Sequence, residues 1–191
     1  VNRIDRDEGR IVSQATTADS TDLHAGTMAL LARQFGESAF PVTSFRDNVR
    51  IHVPADQLIA VLTLLKTEGG FNLLSEIGGV DYLQYPGRDA SAARFEVHYV
   101  LLNQTTTERV ILKVGVSDPD PTIPTAVPLW SGAGWMEREV FDMFGITFAG
   151  HPDLRRILMP EEFTSHPLRK DYPLRGRGER HNFPRLTRGE S

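Results

Sequence analysis

Residues 94–116 read RFEVHYVLLNQTTTERVILKVGV, and two β-strands are legible in them. Phe95, Val97, Tyr99 and Leu101 alternate with Glu96 and His98, the period of a strand with one buried face. Glu108 to Val116 follows a polar Asn-Gln-Thr-Thr-Thr turn and repeats the pattern, which predicts an antiparallel hairpin. A hairpin with one apolar face has to bury it against another layer.

Working outward, the rest of the chain supplies that layer. Ala39–Phe45 and Asn48–Val53 predict a second hairpin around Arg46-Asp47-Asn48, with Val49, Ile51 and Val53 facing inward and His52 on the opposite face. Met28, Leu31, Ala32 and Phe35 recur at helical spacing before Gly36. Pro54 opens a second helix through Thr67, with Leu58, Val61, Leu62 and Leu65 on one face and Gly69-Gly70 at its end. FNLLSEIGGVDYLQYP reads as a strand in which Gly78-Gly79 marks a bulge or a close backbone approach. SDPDPTIPTAVP, residues 117–128, has four of the 12 prolines and predicts an extended loop. The expected order is helix, two strands, helix, three strands, helix, arm. This is an α+β two-layer sandwich, with helices packed on one face of a mostly antiparallel mixed sheet and an extended C-terminal arm. We divide it into a flexible segment at 1–22, an α+β domain at 23–148 and a basic arm at 149–191.

The 191 residues contain no cysteine, which excludes disulfides and the usual ligands of iron–sulfur clusters and structural zinc. The longest apolar run, Leu58 to Leu65, falls far short of the roughly 20 residues that span a bilayer, and no signal peptide is expected. Net charge is −4, but the sign is uneven. Residues 1–154 hold 12 Lys and Arg against 20 Asp and Glu, and residues 155–191 hold 9 against 5. A basic tail on an acidic body points to an electrostatic partner or to the body itself. No Walker or GxGxxG motif is present, and an acidic chain without a nucleic-acid fold signature does not read as a nucleic-acid binder.

The densest segment is 134–174, GWMEREVFDMFGITFAGHPDLRRILMPEEFTSHPLRKDYPL. Gly134 to Phe144 predicts a helix ended by Gly145 in the left-handed C′ position. Met136, Val140, Phe141, Met143 and Phe144 form its apolar arc, with Arg138, Glu139 and Asp142 opposite. Glu137 falls inside the apolar arc, so it either has a raised pKa or has a cationic or hydrogen-bonding partner there, and Arg155, Arg156 and Arg169 are the expected candidates. Beyond Gly145, prolines 152, 160, 167 and 173 keep the chain extended, while Ile146 to Leu168 make it too apolar to be a free linker. It must lie against its own domain or a partner. His151, Asp153 and His166 could be read as metal ligands of a stand-alone hydrolase, although their spacing matches no compact motif.

EREVFDMFGITFAGHPDLRRILMPEEF and HPLRKDYPL closely resemble the signature of the 30 kDa subunit family of respiratory complex I, the NADH–quinone oxidoreductase. DYLQYP, RFEVHYVL and PTAVPLW are similar to its strand region. The resemblance implies a non-catalytic core subunit of the peripheral arm of a proton-pumping complex. It implies no cofactor in this chain, with flavin and iron–sulfur clusters in partner subunits. The implied partners are the subunit that forms much of the quinone site and neighbouring iron–sulfur subunits, on the cytoplasmic side of a bacterial inner membrane or the matrix side of a mitochondrial one. It also implies that Glu137, Arg138, Glu139, Asp142, Gly145, His151, Pro152, Asp153, Arg155, His166, Pro167, Arg169, Lys170 and Asp171 serve assembly rather than bond breaking. A homologous subunit of a membrane-bound hydrogenase or ferredoxin-fed complex is the alternative. Where the family commonly has Trp-Glu-Gly-His-Pro, this chain has Phe163-Thr164-Ser165-His166-Pro167, so if that glycine has positive φ, either Ser165 carries a modest strain or the local turn differs.

Overall fold

The computed structural model describes residues 24–46, 48–87 and 92–179. The expected N-terminal segment 1–22 and the tail residues Arg180, Phe183, Arg185 and Arg188 lie outside them. Helix α1 (Ala25–Phe35) leads into strands β1 (Val42–Phe45) and β2 (Asn48–His52). A single 3-10 turn (Ala55–Gln57) then runs into α2 (Leu58–Thr67). Strands β3 (Leu73–Asp81), β4 (Phe95–Leu102) and β5 (Arg109–Val116) follow. After β6 (Thr122–Pro124) come α3 (Ala133–Phe144) and β7 (Thr147–Ala149).

The five-stranded sheet has the order β1-β2-β5-β4-β3. Its pairs are antiparallel except β2 with β5, which run parallel because α2, β3 and β4 intervene in sequence. Phe95, Val97, Tyr99 and Leu101 of β4 and Val110, Leu112 and Val114 of β5 are wholly buried, as the alternation predicts. Val61, Leu62 and Leu65 of α2 share that core, while Val140 and Phe144 of α3 close it over β3. The helices thus cover one face of a largely antiparallel sheet.

One local expectation changes, and one open alternative is decided. The proline-rich stretch is not wholly loop: Thr122–Pro124 pairs in parallel with Thr147–Ala149, and this ties the segment before α3 to the segment after it. In β3 the register shift lies between Leu74 and Glu76, not at the glycines. The glycine pair serves close approach. A Cβ on Gly79 would come 2.7 Å from the Phe144 ring, and one on Gly78 would come 2.5 Å from His98. Because Phe144 is buried, Gly79→Ala should force α3 away from the sheet and cost about 1–3 kcal/mol. Chemical denaturation of the purified chain measures this, and the Phe144→Leu background should recover part of the loss.

Candidate functional site

Helix α3 ends at Gly145, whose φ of 75° and ψ of 22° place it in the left-handed region, and its N–H closes the helix on the Phe141 carbonyl. From there the arm turns back over the helix. Among the described residues it makes no regular element beyond β7, because its prolines remove N–H donors at short intervals. Its backbone donors therefore need other acceptors, and a helical carboxylate supplies one.

Asp142 is fully buried. Its Oδ2 accepts the backbone N–H groups of Ile157, Leu158 and Met159 at 3.1, 2.8 and 2.8 Å, and its Oδ1 accepts Arg156 Nη1 at 2.6 Å. Burial pushes the Asp142 carboxyl up, but the Met159 and Leu158 N–H groups, Arg156 and the Ile157 N–H together outweigh it and hold the group below its usual range. Arg138 reaches the same turn from one helical turn earlier, donating to the carbonyls of Arg155 at 3.1 Å and Arg156 at 3.0 Å. Further along, His166 Nδ1 donates to the Asp142 carbonyl at 2.9 Å, and the Leu168 N–H donates to Met143 O at 3.0 Å. Burial, followed by the neighbouring Arg156 and Arg169 charges, keeps His166 below its ordinary pKa despite that bond. A Cβ on Gly145 would meet the His166 ring at 2.7 Å, so the helix stop and the arm share one contact.

Arg138 and Asp142, on the arc opposite the apolar one, are both buried, because the arm covers that arc. Glu139 stays exposed.

Glu137 is wholly buried, as its wheel position predicts, but no arginine reaches it. Oε2 accepts Thr125 Oγ at 2.5 Å and Oε1 accepts the Ala126 N–H at 2.6 Å, with His151 Nε2 3.9 Å away. The expected arginines are engaged elsewhere. Arg155 pairs with Asp153, Arg156 with Asp142, and Arg169 with Asp171. Burial is the largest influence on Glu137 and leaves its pKa raised above the ordinary 4.5, in spite of both hydrogen bonds. A raised folded-state pKa means that the unfolded chain ionises first, so stability is lost as pH rises from the unfolded value to the folded one. Glu137→Gln keeps an acceptor for Ala126, and the Thr125 hydroxyl can rotate to accept from the new amide. That variant should unfold within about 1 kcal/mol of the parent chain, with its relative stability improving between pH 4 and neutrality, whereas Glu137→Ala should lose about 2–4 kcal/mol. Urea titrations across pH distinguish the two.

His151 Nδ1 accepts the Asp153 N–H at 3.0 Å, which leaves Nε2 to donate to Gly134 O at 3.1 Å. Both ring nitrogens are thus spent, one on the first turn of the arm and one on the first turn of α3. Pro152 and Asp153 sit exposed on that turn. The metal reading fails on the same geometry, because His151 faces Gly134 and His166 faces the end of α3. Among the described residues no cluster of three or more potential ligands is assembled. Ser165 is not among the residues with positive φ, so the expected strain at that substitution is not present.

A second anchor was not legible in the sequence. Asp81, at the end of β3, receives Arg94 through two contacts, Nε at 3.1 Å and Nη2 at 2.9 Å. It also accepts the N–H groups of Leu83 at 2.9 Å and of Lys170 at 2.8 Å. Arg94 contacts Asp118 and Asp171 as well, each at 2.9 Å. Arg94 and Arg169 both stack on the Phe95 ring, 4.7 and 5.0 Å from its centroid. Burial raises the Asp81 pKa, but Arg94 and then the Lys170 and Leu83 N–H groups outweigh it and leave the group lowered. Hydrogen bonding from Arg169, opposed by burial and aided by Arg94, brings Asp171 down to about 2. Arg169, Lys170 and Asp171, expected to serve assembly, touch their own sheet here, Arg169 through the Phe95 ring, Asp171 through Arg94 and Lys170 through its backbone N–H alone. Pro167 is half-buried between the two anchors.

Residues 51–178 match the family described as the respiratory-chain NADH dehydrogenase 30 kDa subunit. An NADH-quinone oxidoreductase subunit of this kind from Roseiflexus castenholzii is 44% identical over 149 residues, covering 77% of this chain and 82% of the relative. One from Geobacter metallireducens is 38% identical over 157 residues, covering 82% and 94%. Among solved structures, the trypsin-resistant fragment (1-134) of Nqo5 superposes with a TM-score of 0.60 at 33% identity, covering 69% of this chain and 98% of the fragment. A chain of the archaeal membrane-bound sulfane sulfur reductase, 22% identical, shares the fold with a TM-score of 0.67, covering 88% and 95%.

Proposed function

The chain belongs to the respiratory-chain NADH dehydrogenase 30 kDa subunit family, and from that premise we propose that it is the non-catalytic scaffold of the quinone-reducing module in a proton-pumping NADH–quinone oxidoreductase. The oxidoreductase activity belongs to the assembly. The observation that carries the scaffold reading is the arm: about thirty residues without regular structure, held in one shape by two buried carboxylates. A segment shaped this way offers a fixed surface rather than a reactive group. Its bound backbone turns Leu158, Leu168 and Leu174 outward into solvent. Those apolar side chains, rather than Arg169 or Asp171, are the contacts it presents to a neighbour.

In this reading the quinone-site subunit and adjacent iron–sulfur subunits form the neighbours, and flavin and clusters reside in partner subunits. The absence of cysteine from all 191 residues supports placing the clusters elsewhere. No helix of the described residues is long and apolar enough to cross a membrane. The chain then joins the membrane through partners, on the cytoplasmic side. The fold also occurs in a sulfane sulfur reductase complex, so it does not choose the electron donor or acceptor. Deleting the chain's gene and purifying the complex in mild detergent tests the proposal. Quinone reduction by NADH should vanish while NADH oxidation by an artificial acceptor persists in a soluble subcomplex. A fully assembled, quinone-active complex lacking the chain would overturn it.

A further inference from the structure

We propose that the β1–β2 hairpin is a second docking element, whose open edge takes an extended acidic segment from a neighbouring subunit by strand addition. The proposal rests on the reading of the chain as a subunit, but its residues are distant in sequence from the arm.

β1 is a strand without a layer. All four of its residues are exposed, and it packs chiefly on β2. Val42 pairs across the ladder with Ile51, which is completely buried, and yet Val42 is 43% exposed. The helical layer therefore ends at β2 and leaves β1 projecting beyond it. A hairpin edge in this position is marginal alone and gains from a further strand.

Among the described residues nothing pairs with the outer edge of β1. The His52 N–H donates to Pro41 O, which makes Pro41 and His52 a hydrogen-bonded pair. Since such pairs alternate along an antiparallel ladder, Thr43 and Phe45 also face β2, while the backbone N–H and C=O of Val42 and Ser44 point away from it. Main-chain groups at that spacing are what an added strand uses.

The side chains say what kind of strand. Phe45 is 55% exposed, and the guanidinium groups of Arg46 and Arg50 each lie 5.3 Å from its ring centroid. Arg33, Arg94, Arg155, Arg156 and Arg169 all have carboxylate partners. Among the described residues Arg46 and Arg50 have none. An exposed aromatic flanked by two unpaired arginines has the composition of an interface hot spot. It is complementary to a segment that places a carboxylate beside an aliphatic side chain. An anionic membrane would satisfy the arginines but not the open edge of the strand, and this favours a protein partner.

The test uses the intact complex, purified through a tag on another subunit. Phe45→p-benzoylphenylalanine, photolysed in that complex, should cross-link to a single extended segment containing Asp or Glu within a few residues. Ser44→Pro removes only an outward N–H, so the ladder to β2 stays intact and the full chain should unfold like the parent. In the complex, that variant and the Arg46→Glu/Arg50→Glu pair should each release the chain about tenfold more readily in a salt wash. Cross-links to lipid alone would overturn the proposal, as would an absence of cross-links together with parental retention of both variants. Loss of the unmodified chain from the complex would instead overturn the subunit reading itself.

Discussion

Asp142→Ala is expected to free the C-terminal arm and to destabilise the chain by about 3–5 kcal/mol. The wild-type carboxylate accepts three consecutive backbone N–H groups and one guanidinium within a site closed to water. Removing it would orphan all four donors, each worth about 1–3 kcal/mol if kept buried. Release of the arm lets water satisfy them at the expense of the contacts made by Phe163 and Met159, so release is the cheaper outcome. Trypsin should then cut at Arg155 and Arg156 at least tenfold faster than in the parent, while the sheet resists. Asp142→Asn keeps one acceptor without the charge and should fall between the two. The anchor also sets an acid limit. Asp142, Asp81 and Asp171 have folded pKa values below the unfolded 3.8, so their stabilisation is complete above that value and fades as pH falls through the folded ones. Hydrogen exchange should show the arm opening before the sheet below roughly pH 3. If Asp142→Ala left trypsin cleavage unchanged, the arm would be held by its apolar contacts alone.

Arg94→Met should cost a comparable 3–5 kcal/mol, for a different reason. The substitution leaves Asp81, 3% exposed, as a buried carboxylate without its cation, and it also unties Asp118 and Asp171. Urea unfolding should register the loss, and the Lys170 region should lose protection because its N–H shares the Asp81 oxygen bound by Arg94. Arg94→Lys should recover little, since one ammonium cannot reproduce the two-pronged contact with Asp81. The Asp81→Asn/Arg94→Met pair should be less damaged than the sum of its single variants, because the uncompensated charge is gone. Full additivity would mean that the ion pair contributes nothing specific.

The sheet, its three main helices and the cap at Gly145 were legible because each rests on local spacing. Period 2 in Phe95 to Leu101 and period 3.6 in Leu58 to Leu65 report which side is apolar wherever the chain goes. The burial of Glu137 was legible in the same way. Its partners were not: Thr125 lies in a stretch that reads as plain proline-rich loop, and the nearby arginines looked more capable. What covers the arc of Arg138 and Asp142 was not legible, because a helical wheel knows only its own helix. Asp81 and Arg94 gave no signal at all, as a charged residue at the end of a strand is ordinary.

The amino-acid order alone determined the main helices and the five-stranded sheet's strands, the lack of any cysteine ligand and the need of residues 146–168 for a surface, because those follow from covalent spacing and side-chain chemistry. Tertiary structure decided which surface it was. A hydrogen bond requires its atoms within about 3 Å, and only the folded path brings Ile157 to Asp142 or Lys170 to Asp81. The stretch that resembles a signature for meeting partners therefore spends Arg138, Asp142, Arg156, Arg169 and Asp171 on contacts among its own helix, arm and sheet, and turns Leu158, Leu168 and Leu174 outward.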